Sequence, residues 1–309
     1  MASFLCAISP NITFFILLRF IQGVTGAAGI VIARAAARAM YSGKELTKFI
    51  ALLTLVNGAA PILAPVFGGF ILNWFTWHIV FYILAFIGLT MLIAVLLLLP
   101  ETLHSNQRSK ANLFAVFKTF GSLIKDHFFF GIALAQAFVS MSMFAYIAGS
   151  PFVLQNVYGA SAQQFSFIFA MNGLGIIIAA QLTGKLAMRF HETLLMKVGM
   201  GISFTGSLLF ISAIYFQFHL AIVLLALFLV VSSVGIVNTA AFSIGLERRG
   251  EVAGSASAFL GILPFGGGAL VSPLVGIKGE YAAEPLAIVI LSCAILSLLT
   301  YYFFMKKVV

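Results

Sequence analysis

One basic residue, Arg19, stands about six positions inside an otherwise apolar run, and Gln22 follows one turn later on the same helical side. At 1.5 Å per residue that depth is about 9 Å. A charge near the centre of a bilayer costs about 2.5–3.5 kcal/mol on insertion scales, so such residues usually face a pathway or a partner. The chemistry offered is charge compensation and binding rather than bond breaking. The acids are one Asp, Asp126, and seven Glu (Glu45, Glu101, Glu192, Glu247, Glu251, Glu280 and Glu284), all in connections or at the ends of apolar runs, so no carboxylate pair faces a buried cleft. His78, His104, His127, His191 and His219 occur singly, without the spacing of a metal motif. Serine-nucleophile motifs and phosphate-cradling loops are missing too, and Gly23, Gly26 and Gly29 recur every three residues inside a helix, which is a packing pattern. An enzyme, a metal and a cofactor are therefore not expected, whereas movement of something through a bilayer is.

Further polar groups lie deep in apolar runs: Asn57, Gln136, Asn172, Gln181 and Asn238, with Tyr146 near one end of its run. Each must find a partner in a helix bundle or a water-filled cavity, and hydrogen bonding between helices is as good a reading as substrate contact. Asn57, Gly58, Pro61, Ala64, Pro65, Gly68 and Gly69 share one run. Its two prolines each remove a backbone hydrogen bond, and its small residues allow close helix approach, so a bent, tightly packed helix is expected. Pro264, Gly266, Gly267, Gly268, Ser272, Pro273 and Gly276 form a parallel case. Met141, Met143, Phe144 and Tyr146 crowd one segment that would suit apolar aromatic ligands. Cys6 and Cys293 lie in apolar segments and read as small buried residues.

These residues need membrane helices to hold them. Of 309 residues, 62% are apolar and 8% charged, against roughly 45–50% and 25% in soluble domains. Runs such as Ile83 to Leu99 are apolar at nearly every position, which excludes the alternating pattern of a membrane barrel. Nine spans of sufficient length fall at 13–33, 49–72, 78–99, 128–150, 163–184, 194–216, 220–243, 253–276 and 285–305, after a short apolar stub, Met1 to Ile8. The net charge of +9 could suit nucleic acid, but the bases report orientation instead. Arg34, Arg38, Lys44, Lys48; Arg108, Lys110, Lys118, Lys125; Lys185, Arg189, Lys197; Arg248, Arg249; and Lys306, Lys307 occupy alternate connections and the C-terminus, 15 of the 17 Lys and Arg. By the positive-inside rule this face and the C-terminus are cytoplasmic.

The longest connection, Pro100 to Asp126, divides the chain. Within it Leu113, Phe117, Phe120 and Ile124 repeat at helical spacing opposite Lys118 and Lys125, the pattern of a helix lying on the membrane surface. The expected organisation is a remainder of an N-terminal bundle over 1–99, a cytoplasmic linker with its surface helix over 100–126, and a six-helix bundle over 127–309. Two bundles of six would need about two and a half more helices at the N-terminus.

The order of these features resembles the major facilitator superfamily, and within it drug:proton antiporters of the bicyclomycin and chloramphenicol resistance (Bcr/CflA) type. Arg19-Phe-Ile-Gln22-Gly23 is similar to the family's fourth-span motif, and it is followed by Arg34 to Arg38 and Tyr41-Ser42-Gly43. Pro61-Ile-Leu-Ala-Pro65-Val-Phe-Gly68-Gly69 is similar to the antiporter motif of the fifth span, and Leu99-Pro100-Glu101-Thr102-Leu103 to the close of the sixth. The stretch from Phe144 through Gly149-Ser150-Pro151 to Gln155, then Tyr158-Gly159, Gln163-Gln164-Phe165 and Asn172, is the most family-specific, and Ala253-Gly254-Ser255-Ala256-Ser257-Ala258 resembles the eleventh span.

The resemblance implies an all-α integral membrane protein with a two-bundle fold, here lacking about the first two and a half of twelve helices, and with them the first-span acid that such antiporters are thought to protonate. It implies that the chain is an N-terminally shortened form of a multidrug exporter that exchanges protons for small lipophilic drugs across the cytoplasmic membrane by alternating access. Arg19, Gln22, Asn57, Gln136, Tyr146, Asn172 and Asn238 would line the pathway. Gly58, Pro61, Pro65, Gly68 and Gly69 would shape the seam between bundles, and Arg34, Arg38 and Arg189 would belong to a cytoplasmic charge network that is thinner than the family's, with Ala39 after Arg38 and Met188 before Arg189. A monomer without nucleic-acid partners is expected. A metabolite transporter of the same superfamily, or a non-transporting remnant, is the alternative.

Overall fold

The computed structural model describes residues 1–40, 60, 63–64, 66–99, 113–249, 252–279 and 281–305. Asn57, Gly58, Pro61 and Pro65, with most of the expected span at 49–72, lie outside the described residues, as do Lys306 and Lys307. The chain forms two compact units, Met1–Ala111 and Asn112–Val309.

In the first unit, a short helix α1 (Ala2–Ala7) packs against α2 (Ile12–Met40) and α3 (Trp77–Leu98). Asn11 caps α2, its side-chain oxygen accepting the Phe14 amide at 2.8 Å. A further helical stretch covers 66–72. No residue of α3 is buried and the helix is apolar all round, which suits a helix whose surroundings are lipid or other helices. Cys6, Ala7 and Leu18 are buried where α1 meets its neighbours.

In the second unit, α4 (Leu113–Lys125) precedes α5 (His127–Pro151), α6 (Ala162–Leu186), α7 (Glu192–Tyr215), α8 (Leu220–Arg248), α9 (Ala253–Val275) and α10 (Glu284–Thr300). Helix α5 is the axis of the bundle, packed on α8, α9 and α10, while α8 also packs on α6 and α7. Close approach is built from glycine. A Cβ on Gly235 of α8 would lie 2.3 Å from the Ile176 carbonyl of α6, and one on Gly268 of α9 would lie 2.5 Å from the Phe144 ring of α5. Small residues at such crossings are the ordinary means by which membrane helices associate. Amphipathic α4 uses its apolar side to dock, with Leu123 fully buried and Phe120 meeting Phe259 of α9 at 5.5 Å between ring centres.

Among the described residues, seven helices are long and apolar enough to cross a membrane. Three helices overrun the spans expected from the sequence, two because the backbone ladder continues past the charges that end an apolar run, and one because it continues past a proline. Helix α2 runs past residue 33 to Met40 because Ala33 to Ala39 is an alanine-rich stretch of high helix propensity, so Arg34 and Arg38 lie on helix rather than in a connection. Helix α8 likewise carries Arg248 as its last residue. Helix α5 continues through Pro151 into a π-helical turn, Phe152–Val157. There the Tyr158 amide bonds the Val153 carbonyl at 3.1 Å, and directly after the proline the Phe152 amide bonds the Gly149 carbonyl, so the helical path continues. Gln155, expected in a connection, is therefore helical, and Tyr146 sits well inside its helix rather than near the end.

Candidate functional site

Arg19 lies seven residues into α2, exposed on its unit, and donates through Nη1 to Gln22 Oε1 at 2.5 Å. Gln22 passes the restraint on, its Nε2 donating to Ser3 Oγ of α1 at 2.8 Å. The guanidinium carbon stands 5.8 Å above the Phe81 ring of α3, within cation–π range. Phe15 and Trp77 complete an aromatic group with Phe81, at ring separations of 5.4–5.8 Å. The charge is thus oriented from three helices by groups that leave it a full positive charge, the arrangement needed to attract an anion or a polarised ligand.

The second unit holds a line of polar groups along α5. Gln136 is 1% exposed, and its Oε1 has no hydrogen-bond partner among the described residues. One turn later Ser140 donates to Asn238 Oδ1 of α8 at 3.1 Å. Further along, Tyr146, also 1% exposed, accepts from Asn172 Nδ2 of α6 at 2.8 Å and stacks on Phe169 with ring centres 5.5 Å apart. A buried amide left without its partner costs about 1–3 kcal/mol, so these contacts fix how α5 meets α6 and α8. Asn172 also floors an apolar hollow of about 420 Å³ between α6 and α8, bordered by Phe167, Met171 and Phe228. A neighbouring hollow of about 410 Å³ shares Phe167, Ile168 and Leu224 and runs to Gln163 and Gln164. Gln164 has a local duty as well: with Ser161 it forms the capping box that starts α6.

The helical period disperses the Met141 to Tyr146 segment. Met141 and Phe144 press on Gly267 and Gly268 of α9, whereas Tyr146 turns to α6. Gly68 and Gly69 lie on the helical stretch 66–72, half-buried, and a Cβ on Gly68 would meet nothing within 4 Å among the described residues. Arg189 is exposed in the turn after α6.

At the basic end of this unit, sequence reasoning passed over Asp126. Its Oδ1 accepts the amides of Phe128 and Phe129, both at 3.2 Å, capping α5. Its Oδ2 pairs with Arg248 Nε at 3.3 Å and Arg249 Nη2 at 2.8 Å, and the Arg248 guanidinium lies 4.6 Å from the Phe128 ring centre. Partial burial pushes the carboxyl upward, but the Phe129 amide and the two arginines outweigh it and hold it below the ordinary carboxylate value. The available signal was a sole Asp placed directly before a long apolar helix. Ser3 and Ser140 were also missed, since isolated hydroxyls in apolar helices carry no signal of their own.

The model of the family described as Major Facilitator Superfamily matches residues 1–273. The chain is 38% identical over 309 residues to the Uncharacterized MFS-type transporter YdgK of Bacillus subtilis, covering 99% of this chain and 77% of that one. It is 28% identical to the Bicyclomycin resistance protein homolog of Haemophilus influenzae, over 95% and 74% of the two chains. Among solved structures, a bacterial homolog of the human lysosomal transporter Spinster superposes with a TM-score of 0.70 at 17% identity, covering 98% of this chain and 79% of that one. The fold, the family match and these relatives agree that the chain is a multi-pass membrane transporter belonging to the Major Facilitator Superfamily.

Proposed function

We propose that the protein exports small lipophilic drugs from the cell, in exchange for protons, by alternating access across the cytoplasmic membrane. The observation that carries this reading is the hollow of about 420 Å³ in the second unit, apolar but for Asn172, and the first unit separately holds an oriented guanidinium at Arg19. Sites for drug-sized ligands are mostly apolar, of about 300–1,000 Å³, with a few placed polar groups. Relatives named for resistance to bicyclomycin, and to chloramphenicol in Acinetobacter baumannii, support the same substrate class. In this reading Arg19 and Gln22 tune proton transfer or hold substrate, while Gln136, Tyr146, Asn172, Asn238 and Asn57 line the path. Gly58, Pro61, Pro65, Gly68 and Gly69 shape the seam, and the basic ends bearing Arg34, Arg38 and Arg189 face the cytoplasm with the C-terminus. The working unit is a monomer. One charge crossing 100 mV releases about 2.3 kcal/mol, enough for about fifty-fold accumulation.

The test is ethidium and chloramphenicol accumulation in a host without its own drug pumps, with the protein expressed from its gene. Accumulation should fall severalfold relative to an Arg19→Ala variant present at equal abundance. Equal accumulation in the two strains would count against the proposal.

A further inference from the structure

Two cross-links join α5 to α8. One is the Ser140–Asn238 hydrogen bond inside the bundle, and the other is the Asp126 pairing with Arg248 and Arg249 at its basic end. Asp126 precedes Ser140 by 14 residues and Arg249 follows Asn238 by 11, so the links stand about 16–21 Å apart along the helices. Two ties at that separation fix both the axial register and the tilt of one helix against the other, which one tie does not.

The two oxygens of Asp126 divide the work. Oδ1 serves the α5 amides, which a helix start needs in any protein. Oδ2 takes both arginines, from the last residue of α8 and the one after it, and capping does not require that. The side chain is only 9% exposed, while Arg248 and Arg249 reach it from 43% and 33% exposure. The carboxylate is thus shielded and its partners come down to it, with Phe128 stacked beneath Arg248. Exposed ion pairs are worth about 0–1 kcal/mol, but a shielded carboxylate with two guanidinium partners constrains geometry more than a solvated pair does.

We propose that Asp126 is a positioning residue for transport: through Arg248 and Arg249 it sets the register between α5 and α8, the helices that carry Gln136, Tyr146 and Asn238. The transport half of this statement rests on the export reading above, whereas the register half does not. Asp126→Asn separates the two duties, because its amide oxygen still caps α5 while the charge that gathers the arginines is gone.

The experiment places spin labels at two exposed neighbouring positions, Lys125→Cys and Glu247→Cys, and measures dipolar coupling in nanodiscs beside ethidium transport by the same variants in proteoliposomes. Asp126→Asn should broaden the label separation and lower the export rate at least fivefold. The double variant Arg248→Gln/Arg249→Gln should do the same, and Arg248→Lys/Arg249→Lys should stay close to the parent. Combining Asp126→Asn with the two glutamines should add less than twofold, because both remove one interaction. Unchanged dipolar coupling in Asp126→Asn, loosened coupling with export intact, or losses that multiply would each overturn the proposal. If the parent exports no probe, the export reading fails, and the dipolar coupling still decides whether Asp126 sets the register.

Discussion

Asn172 of α6 donates its side-chain amide to the phenolic oxygen of Tyr146 of α5 at 2.8 Å, and both residues are at least 97% buried. The contact ties the helix that floors the hollow to the helix that runs through the centre of its bundle. Polar contacts between membrane helices average about 0.6 kcal/mol in double-mutant cycles and reach about 1.7, and this pair, enclosed by Phe169, belongs toward the upper figure.

Tyr146→Phe keeps the ring stacked on Phe169 but strands the Asn172 amide. Thermal unfolding in detergent should show a loss of about 1–2 kcal/mol. Tyr146→Phe combined with Asn172→Leu should be less destabilised than the sum of the single changes. Strict additivity would mean that the hydrogen bond contributes nothing.

The neighbouring glycines of α9 should respond differently to the same methyl group. A Cβ at Gly267 meets the flexible end of Met141, whereas one at Gly268 meets Phe144 at Cβ, Cγ and Cδ2, the root of a ring that cannot swing aside. Gly268→Ala should cost about 1–3 kcal/mol, and Gly267→Ala clearly less. Phe144→Ala should relieve much of the Gly268→Ala penalty. Comparable melting temperatures for the two alanine variants would contradict this packing.

Asp126 gives the protein a defined acid response. Burial raises its carboxyl, but the Phe129 amide and the arginines prevail, so the folded value lies below the ordinary 3.8. A depressed folded value contributes stability that is complete above the unfolded one and disappears as pH falls through the folded one. The melting-temperature gap between parent and Asp126→Asn should be constant from pH 8 to pH 5 and narrow progressively as the pH falls below about 4. A gap that does not narrow at all on acidification would assign the stabilisation to something other than the charge.

What could be read in the sequence was set by contrast. Arg19, Gln136 and Asn238 stand out because a charge or an amide in an apolar helix is expensive and needs a reason, and long apolar runs marked the helices themselves. Ser140 was invisible because a lone hydroxyl bonds its own helix as readily as a neighbour, and only the facing Asn238 makes it a link. The span expected to end at residue 150 instead continues through Pro151 into a π turn, because one proline does not outweigh the packing of a long buried helix. The Arg248 and Arg249 pair read as a topology signal, and its second use depends on Asp126 arriving from more than 120 residues away.

The guanidinium of Arg19 is the feature on which the transport reading leans most, because its partners Gln22 and Ser3 orient it without neutralising it. Gln22→Leu should therefore weaken export while leaving folding near the parent level, since Arg19 remains over Phe81. The most direct measurement is ethidium accumulation in pump-deficient cells carrying the parent protein, Gln22→Leu or Arg19→Ala at matched abundance. The account predicts low accumulation for the parent, intermediate accumulation for Gln22→Leu and vector-level accumulation for Arg19→Ala. Three indistinguishable accumulation curves would contradict it.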